Sequence, residues 1–440
     1  MPISVQNNKT GTIMHSSKQY ITITSIFITF MLIFNSYLPA YAVTIVPFLY
    51  ILYYVITNAF SIPRELISYL AIPSILILLG ISSCINNDLY DVLKDGWYYI
   101  TPFVVFSAGY LTAYREKNLY SILTLFVLYG WLLSLFHLVN IVTNPDILFK
   151  SSVETIRHTV GRGYFLSVVS LVTALYARRK KLQLLFLNNA STFIYIVITI
   201  DCLSIVLSFS RTLWISFLLA YLITGEWLTL KRPSRLILAG MIILALNISF
   251  LVMPKDQLSP NSMTGKLVNS FNEVLISDYF VKADIQRNWR GYEAYMAWRT
   301  YLEGGVVNIV AGHGFGKLID LKIYMDLGGN VLRYIPVLHN GYLYLLVKTG
   351  IVGLALYLIY LFQILQIGLA YSKTNDNQLE FVGKLIIGFV LVLLFTTFVV
   401  SGIFNKGGFV PLVLMIGILL GYGKIRTVAM NPRDPLRKTS

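Results

Sequence analysis

The sequence predicts an all-α protein: a polytopic bundle of about 12 transmembrane helices that carries one long, partly helical external loop. Three observations predict it. Of the 440 residues, 56% are hydrophobic and 12% charged, against about half apolar and a quarter charged in an average soluble domain. Apolar stretches recur from Tyr20 to Tyr422, each near the roughly 20 residues that a helix needs to cross a bilayer core. Between them, Lys and Arg collect in alternate gaps, as they do in short cytoplasmic loops.

The elements follow in order. Residues 1–19 are polar, with Lys9 and Lys18 ahead of an apolar run that lacks a small-residue cleavage site, so an uncleaved cytoplasmic start is expected. Apolar runs then lie at 20–38, 41–60, 66–84, 97–114, 119–142, 163–177, 189–208, 212–229 and 235–253, placing spans 1–9 in residues 20–253. Runs at 340–370, 382–403 and 407–423 place spans 10–12 in residues 339–423, and 424–440 form a basic tail. Arg64, Arg115 with Lys117, Arg178-Arg179-Lys180-Lys181, Lys231-Arg232-Arg235 and Lys373 occupy gaps on one face if twelve spans are correct. Both termini are then cytoplasmic.

The gaps on the opposite face differ. Asn86 to Asp95 is acidic, Thr143 to Arg162 is mixed, and residues 254–338 form the one sizeable external segment. Asp278 to Glu303 is aromatic, basic and free of Pro, which predicts helices lying on the membrane surface. Gly304-Gly305 and Gly312-His313-Gly314-Phe315-Gly316 predict turns. That glycine triplet lacks the strand-turn-helix unit of a dinucleotide fingerprint, so a nucleotide site is rejected.

Composition excludes several functions. The net charge of +15 is spread among loops rather than gathered on a soluble face, so no nucleic-acid partner is expected. With only Cys84 and Cys202 there is no disulfide framework, and Cys202, inside an apolar run, reads as packing. The five histidines show no H-x-x-x-H pair and there is no CxxC, so no metal and no cofactor are expected. No G-x-S-x-G elbow supports covalent serine chemistry.

Four constellations stand at the outer ends of helices. Ser210-Arg211-Thr-Leu-Trp214 puts a guanidinium at the turn between two spans, where its planar fork suits a lipid diphosphate or simple snorkelling. Arg157-His-Thr-Val-Gly161-Arg162-Gly163 sets two arginines and two glycines within seven residues, the glycines allowing close backbone approach; a basic loop touching headgroups fits equally. Arg290 and Glu293 are spaced to share a helix face, with Trp298-Arg299 beyond them. His339-Asn340-Gly341-Tyr342, followed by Gly350-Ile-Val-Gly353, sits where the external segment re-enters the bundle. There His339 is placed for proton transfer, and Asn340 could serve as a helix cap. Asp201 falls inside a span and must face the interior, to pair with a buried lysine or arginine or to bind a hydroxyl of substrate. His137, in the fifth span, reads as a structural hydrogen-bonding group.

These blocks, in this order, resemble the O-antigen polymerase and O-antigen ligase superfamily of bacterial membrane glycosyltransferases, and the resemblance spans about half the chain. It implies a GT-C-like bundle in the bacterial inner membrane, active on its outer face without a metal. The donor would be an oligosaccharide on undecaprenyl diphosphate. By position, Arg157, Arg211 and Arg290 would hold the diphosphate, and His339 would orient or deprotonate the acceptor. Arg162, Arg299, Asn340 and Tyr342 join them as expected substrate contacts. The partners implied are the lipid-linked glycan, membrane lipid, and a flippase and chain-length regulator of the same pathway. Polymerisation of repeat units is the expected reaction, because no feature is dedicated to a lipid A core acceptor; transfer of the finished chain by a ligase is the alternative. A transporter or lipid flippase also fits twelve spans, but inverted repeats and broken helices are not evident in the sequence.

Overall fold

The structure, a computed structural model, describes residues 23–34, 40–146, 153–182, 184, 192–227, 234, 276, 278–279, 281–327, 329–404 and 408–430. The expected cytoplasmic start (1–19), the ninth apolar run (235–253) and the first part of the external segment, residues 254–275, lie outside them.

The apolar runs fold as helices because a bilayer offers no partner for backbone N–H and C=O groups, which must close on each other. In chain order these are α1 (Ile23–Ile33), α2 (Ala40–Thr57), α3 (Arg64–Ser82), α4 (Leu89–Glu116) and α5 (Leu119–Val142). A short α6 (Val153–Thr159) precedes α7 (Phe165–Arg179), α8 (Thr192–Leu207) and α9 (Arg211–Thr224). The segment expected outside the membrane contributes α10 (Lys282–Arg287), α11 (Trp289–Leu302) and α12 (Gly305–Ala311), and the bundle closes with α13 (Gly341–Ser372), α14 (Asn377–Val400) and α15 (Val410–Met430). Among the described residues, α3, α5, α13, α14 and α15 are long and apolar enough to cross a membrane, while α1, α2, α8 and α9 are shorter apolar helices. The molecule is a membrane protein with a mostly helical fold.

Small residues set the helix spacing. A Cβ at Gly109 of α4 would lie 2.4 Å from the Leu414 carbonyl of α15, and at Gly417 of α15 2.3 Å from the Phe106 carbonyl. Such close approach is how helices associate where lipid removes the hydrophobic drive between them.

The all-α expectation needs one amendment. Ile319–Asp326 (β1) and Val331–Ile335 (β2) pair as an antiparallel hairpin in the external segment. Its register shifts between Asp320 and Met325, where Lys322 takes φ +59°. Asp320 receives both Arg333 Nε (2.8 Å) and Nη2 (2.9 Å), a two-pronged bond across the strands, and Tyr292 Oη donates to the Leu321 carbonyl at 2.6 Å, fastening the hairpin to α11.

A second difference concerns depth. After α12 the chain descends beside the spans: His313 N donates to the Val347 carbonyl (2.8 Å), Gly314 N to that of Lys348 (3.0 Å) and Phe315 N to that of Gly80 (2.8 Å). Gly316 N ends on Asp95 Oδ2 at 2.7 Å. Lys348 lies seven residues into α13, so at 1.5 Å per residue this arch sits about 10 Å below the helix start. Non-helical backbone survives at such depth only where protein satisfies it, and each of these four N–H groups has its acceptor. The glycines are needed for contact: Gly312, at φ +80°, would press a Cβ to 2.4 Å from Thr349 N. Opposite the arch α13 itself is broken, with Gly350 at φ +65°, ψ −169°.

Asp95 ends the acidic stretch that the sequence places outside, yet it is fully buried, as is Lys348. Lys348 Nζ donates to Asp95 Oδ2 and to the Lys317 carbonyl, and Tyr344 Oη donates to Asp95 Oδ1 at 2.8 Å. Around this pair Tyr99 packs against Phe315 (ring centroids 4.6 Å) and Phe404 (4.7 Å). Asp201 faces the interior with no solvent exposure and accepts from Ser170 Oγ at 2.5 Å; the next residue, Cys202, is exposed rather than packed. His137 is buried and hydrogen-bonded through Nδ1 to Ser204 Oγ at 2.9 Å.

Candidate functional site

Where the external segment returns to the bundle, Asn340 starts α13, its side-chain oxygen accepting from Tyr342 N (3.0 Å) and Leu343 N (3.2 Å). The cap sets the direction of the residue before it. His339 is held through its backbone: its N–H donates to Glu293 Oε2 at 2.9 Å, and its carbonyl accepts from Ser401 N at 2.6 Å. The imidazole Nδ1 also meets Glu293, at 3.0 Å from Oε2 and 3.2 Å from Oε1.

Glu293 is 4% exposed, whereas His339 is 46% exposed. When that carboxylate is ionised it accepts only, and a neutral His339 beside it then holds its proton on Nδ1 and its lone pair on Nε2. A buried acid thus orients an open imidazole, as carboxylates do behind working histidines. Sequence reasoning noted Glu293 as sharing a helix face with Arg290 but gave it no role. The available signal was a single acid in the apolar and aromatic run Tyr292–Ala297 of α11.

Arg157 and Arg211 come together although 54 residues (211 − 157) separate them. Arg157 Nη2 donates to the Phe209 carbonyl, and Ile156 and Val160 pack with Ile141, Leu207 and Phe209. The α8–α9 turn is tight: Phe209 takes φ +50°, Ser210 N donates to Ser208 Oγ at 3.1 Å, and Trp214 Nε1 closes the end of α8 on the Ile205 carbonyl at 2.7 Å. Arg211 is the first residue of α9 and half-buried. Gly163 (φ +69°) approaches Ser208 so closely that a Cβ would sit 2.8 Å from its Cβ. Arg162, between Gly161 and Gly163, is exposed.

The two clusters share one end of the bundle. α9 runs antiparallel to α14, with Ala220 against Gly388 and Glu226 paired to Lys384. Nine residues back from Ala220 is Arg211, and nine on from Gly388 is Thr397, four residues short of the Ser401 that bonds His339. Arg290 is half-buried one helical turn before Glu293. Arg299 is exposed and 3.6 Å from Glu303. Tyr342 Oη donates to the Leu394 carbonyl at 2.7 Å, so that hydroxyl, like the Asn340 amide oxygen, is engaged in seating α13. Tyr292, behind the site, has its phenol pushed up by burial and stays a donor to the hairpin. Among the described residues no three His, Cys, Asp or Glu side chains gather as a metal-binding set.

Chemically, the arrangement offers a half-exposed imidazole backed by a buried carboxylate, with guanidiniums at the same end of the bundle. Residues 194–358 match the family model described as O-antigen ligase, a span running from α8 through Arg211, Arg290 and Glu293 to His339 and the break in α13. No curated protein matches the chain. The match supports the superfamily of O-antigen polymerases and ligases for this protein.

Proposed function

With that match as the premise, we propose that the protein is a glycosyltransferase that polymerises oligosaccharide repeat units carried on undecaprenyl diphosphate, for O-antigen, capsule or exopolysaccharide. It acts at the outer leaflet of a bacterial inner membrane, in a twelve-span chain with both termini inside. The observation that carries the reading is the oriented His339–Glu293 pair at the same end of the bundle as Arg157 and Arg211.

The reaction follows from those groups. The acceptor hydroxyl gives its proton to His339 Nε2 while its oxygen attacks the anomeric carbon from the face opposite the diphosphate. The bond from that carbon to the phosphate oxygen breaks, and configuration inverts. Undecaprenyl diphosphate leaves with the electron pair, and guanidiniums of Arg157, Arg211 and Arg290 stabilise the charge as it develops, the differential electrostatic effect that lowers a barrier. In this reading no metal is required. Apolar helix faces accommodate the polyprenyl tail, and a flippase and chain-length regulator supply donor and set product length.

A ligase that moves the finished glycan to lipid A core or another acceptor is the second reading, favoured by the description of the matching family. Transport is disfavoured: the break at Gly350 is filled by the Val310 carbonyl and Gly312 N of the arch rather than lining an ion or substrate cavity.

Arg211→Ala and His339→Ala test the proposal on purified protein with lipid-linked oligosaccharide. Each is expected to lower transfer by at least about 100-fold at unchanged membrane abundance. Full transfer in both variants overturns it. Deleting the gene separates the two enzymes: single-repeat glycoconjugates mean a polymerase, long chains stranded on the carrier a ligase.

A further inference from the structure

The opposite end of the bundle holds a cavity of about 340 Å³ between the last turns of α7 and α9. α7 is 15 residues long, so this cavity lies about 20 Å from the end that carries Arg162 and Arg211. Its wall includes Arg178, Arg179, Tyr176, Tyr221 and Thr224. We propose that it is an anion site for a phosphate group, that of an anionic phospholipid headgroup or of free phosphate, independent of the glycan-transfer reading.

Three features point to a ligand. Tyr176 is 2% exposed, stacked on Phe381 at 4.8 Å, and its hydroxyl has no hydrogen-bond partner among the described residues. A buried polar atom left that way costs free energy, and Tyr176 stands in the wall of the cavity. The guanidiniums are preset: Arg178 lies 4.3 Å over the Tyr195 ring and donates to its hydroxyl at 2.8 Å, and Arg179 donates to the Gly225 carbonyl. Each spends one of five N–H donors on that contact and keeps a planar fork for phosphate oxygens. The nearby carboxylates do not compete, because Glu226 is paired with Lys384, and Glu380 with Lys180 and Lys384.

The surroundings suit lipid. Leu218, one turn from Tyr221 on α9, is 52% exposed, so acyl chains can lie along the helix that leads to the cavity. Basic pockets between helix ends are where acidic headgroups bind.

The full chain is placed in phosphatidylcholine nanodiscs with and without phosphatidylglycerol, and separately given inorganic phosphate against chloride, with bound lipid read by native mass spectrometry and stability by thermal unfolding. Wild type is expected to retain phosphatidylglycerol, with retention roughly thirtyfold weaker in R178Q/R179Q and unchanged in R115Q, a basic residue at the same end outside the cavity. Y176F keeps the aromatic stack and removes only the hydroxyl, so it decides the matter if the double variant folds poorly; weaker retention is expected there too. A midpoint raised by inorganic phosphate in phosphatidylcholine discs identifies the free anion as the source. If neither phosphatidylglycerol nor phosphate distinguishes wild type from these variants, the proposal is overturned.

Discussion

Glu293→Gln tests the chemistry of the site at a residue buried behind His339. The carboxylate accepts two hydrogen bonds from His339, one from the backbone N–H and one from Nδ1, and it does so almost wholly buried. A glutamine has the same shape but one acceptor oxygen, so one of the two histidine donors must face its NH2 group. Losing one charge-assisted bond in a buried place costs about 1.5–3 kcal/mol. If that loss falls on the imidazole's orientation and tautomer, transfer slows by roughly 10- to 100-fold. The assay is single-turnover transfer from lipid-linked oligosaccharide in nanodiscs, repeated in a His339→Ala background. Because Glu293 acts through His339, the second substitution should add nothing to the first. Full activity in Glu293→Gln, or losses that multiply in the double variant, would refute the orienting role.

Three further outcomes follow. Gly312→Ala drives a Cβ to 2.4 Å from Thr349 N at a positive φ, and should destabilise the protein by about 2 kcal/mol or more, read as a lowered unfolding midpoint in detergent. Lys348→Met leaves Asp95 buried without its cation, a loss of about 3–5 kcal/mol; D95N/K348M, which keeps an acceptor for Gly316 N, should recover much of the folded yield. In the hairpin the Arg333 guanidinium holds the Asp320 carboxyl well below the usual carboxylate range. A carboxyl depressed in the fold stabilises it fully above the ordinary value near 3.9 and loses that contribution as pH falls through the lower, folded value. Amide protection in β1 and β2, taken relative to the intrinsic exchange rate at each pH, should therefore hold from pH 7 to about 4 and fall only below it, whereas Arg333→Gln should be less protected already at pH 7.

What the sequence disclosed and what it hid divide along a physical line. Eleven of the twelve apolar runs coincide with described helices or their cores, because hydropathy over 20 residues is a local property. Asn340 was readable as a cap for the same reason. The hairpin was legible in principle: Ile319-Asp320-Leu321-Lys322 alternates with period two, but lies among glycines that draw attention to turns. Pairings over long separations carry no local mark. Asp95 meets Lys348 across 253 residues and Glu293 meets His339 across 46, so the first read as a loop acid and the second as a helix-face neighbour of Arg290. The arginine pair is an intermediate case: both residues were singled out, but only the strained turn at Phe209 shows why they converge.

The glycine arch also bears on how the outer segment comes to be folded at all. Its four successive amides close on Val347, Lys348, Gly80 and Asp95, acceptors that belong to three different spans and exist in the right places only after those spans have associated in lipid. Residues 281–338 cut from the chain would have nothing on which to seat the arch, and Glu293 would have no His339 to orient. The proposed catalytic geometry is thus a late product of membrane assembly, and any treatment that parts α3, α4 and α13, such as a harsh detergent or a bilayer of the wrong thickness, should silence the proposed transfer before it unfolds a single helix.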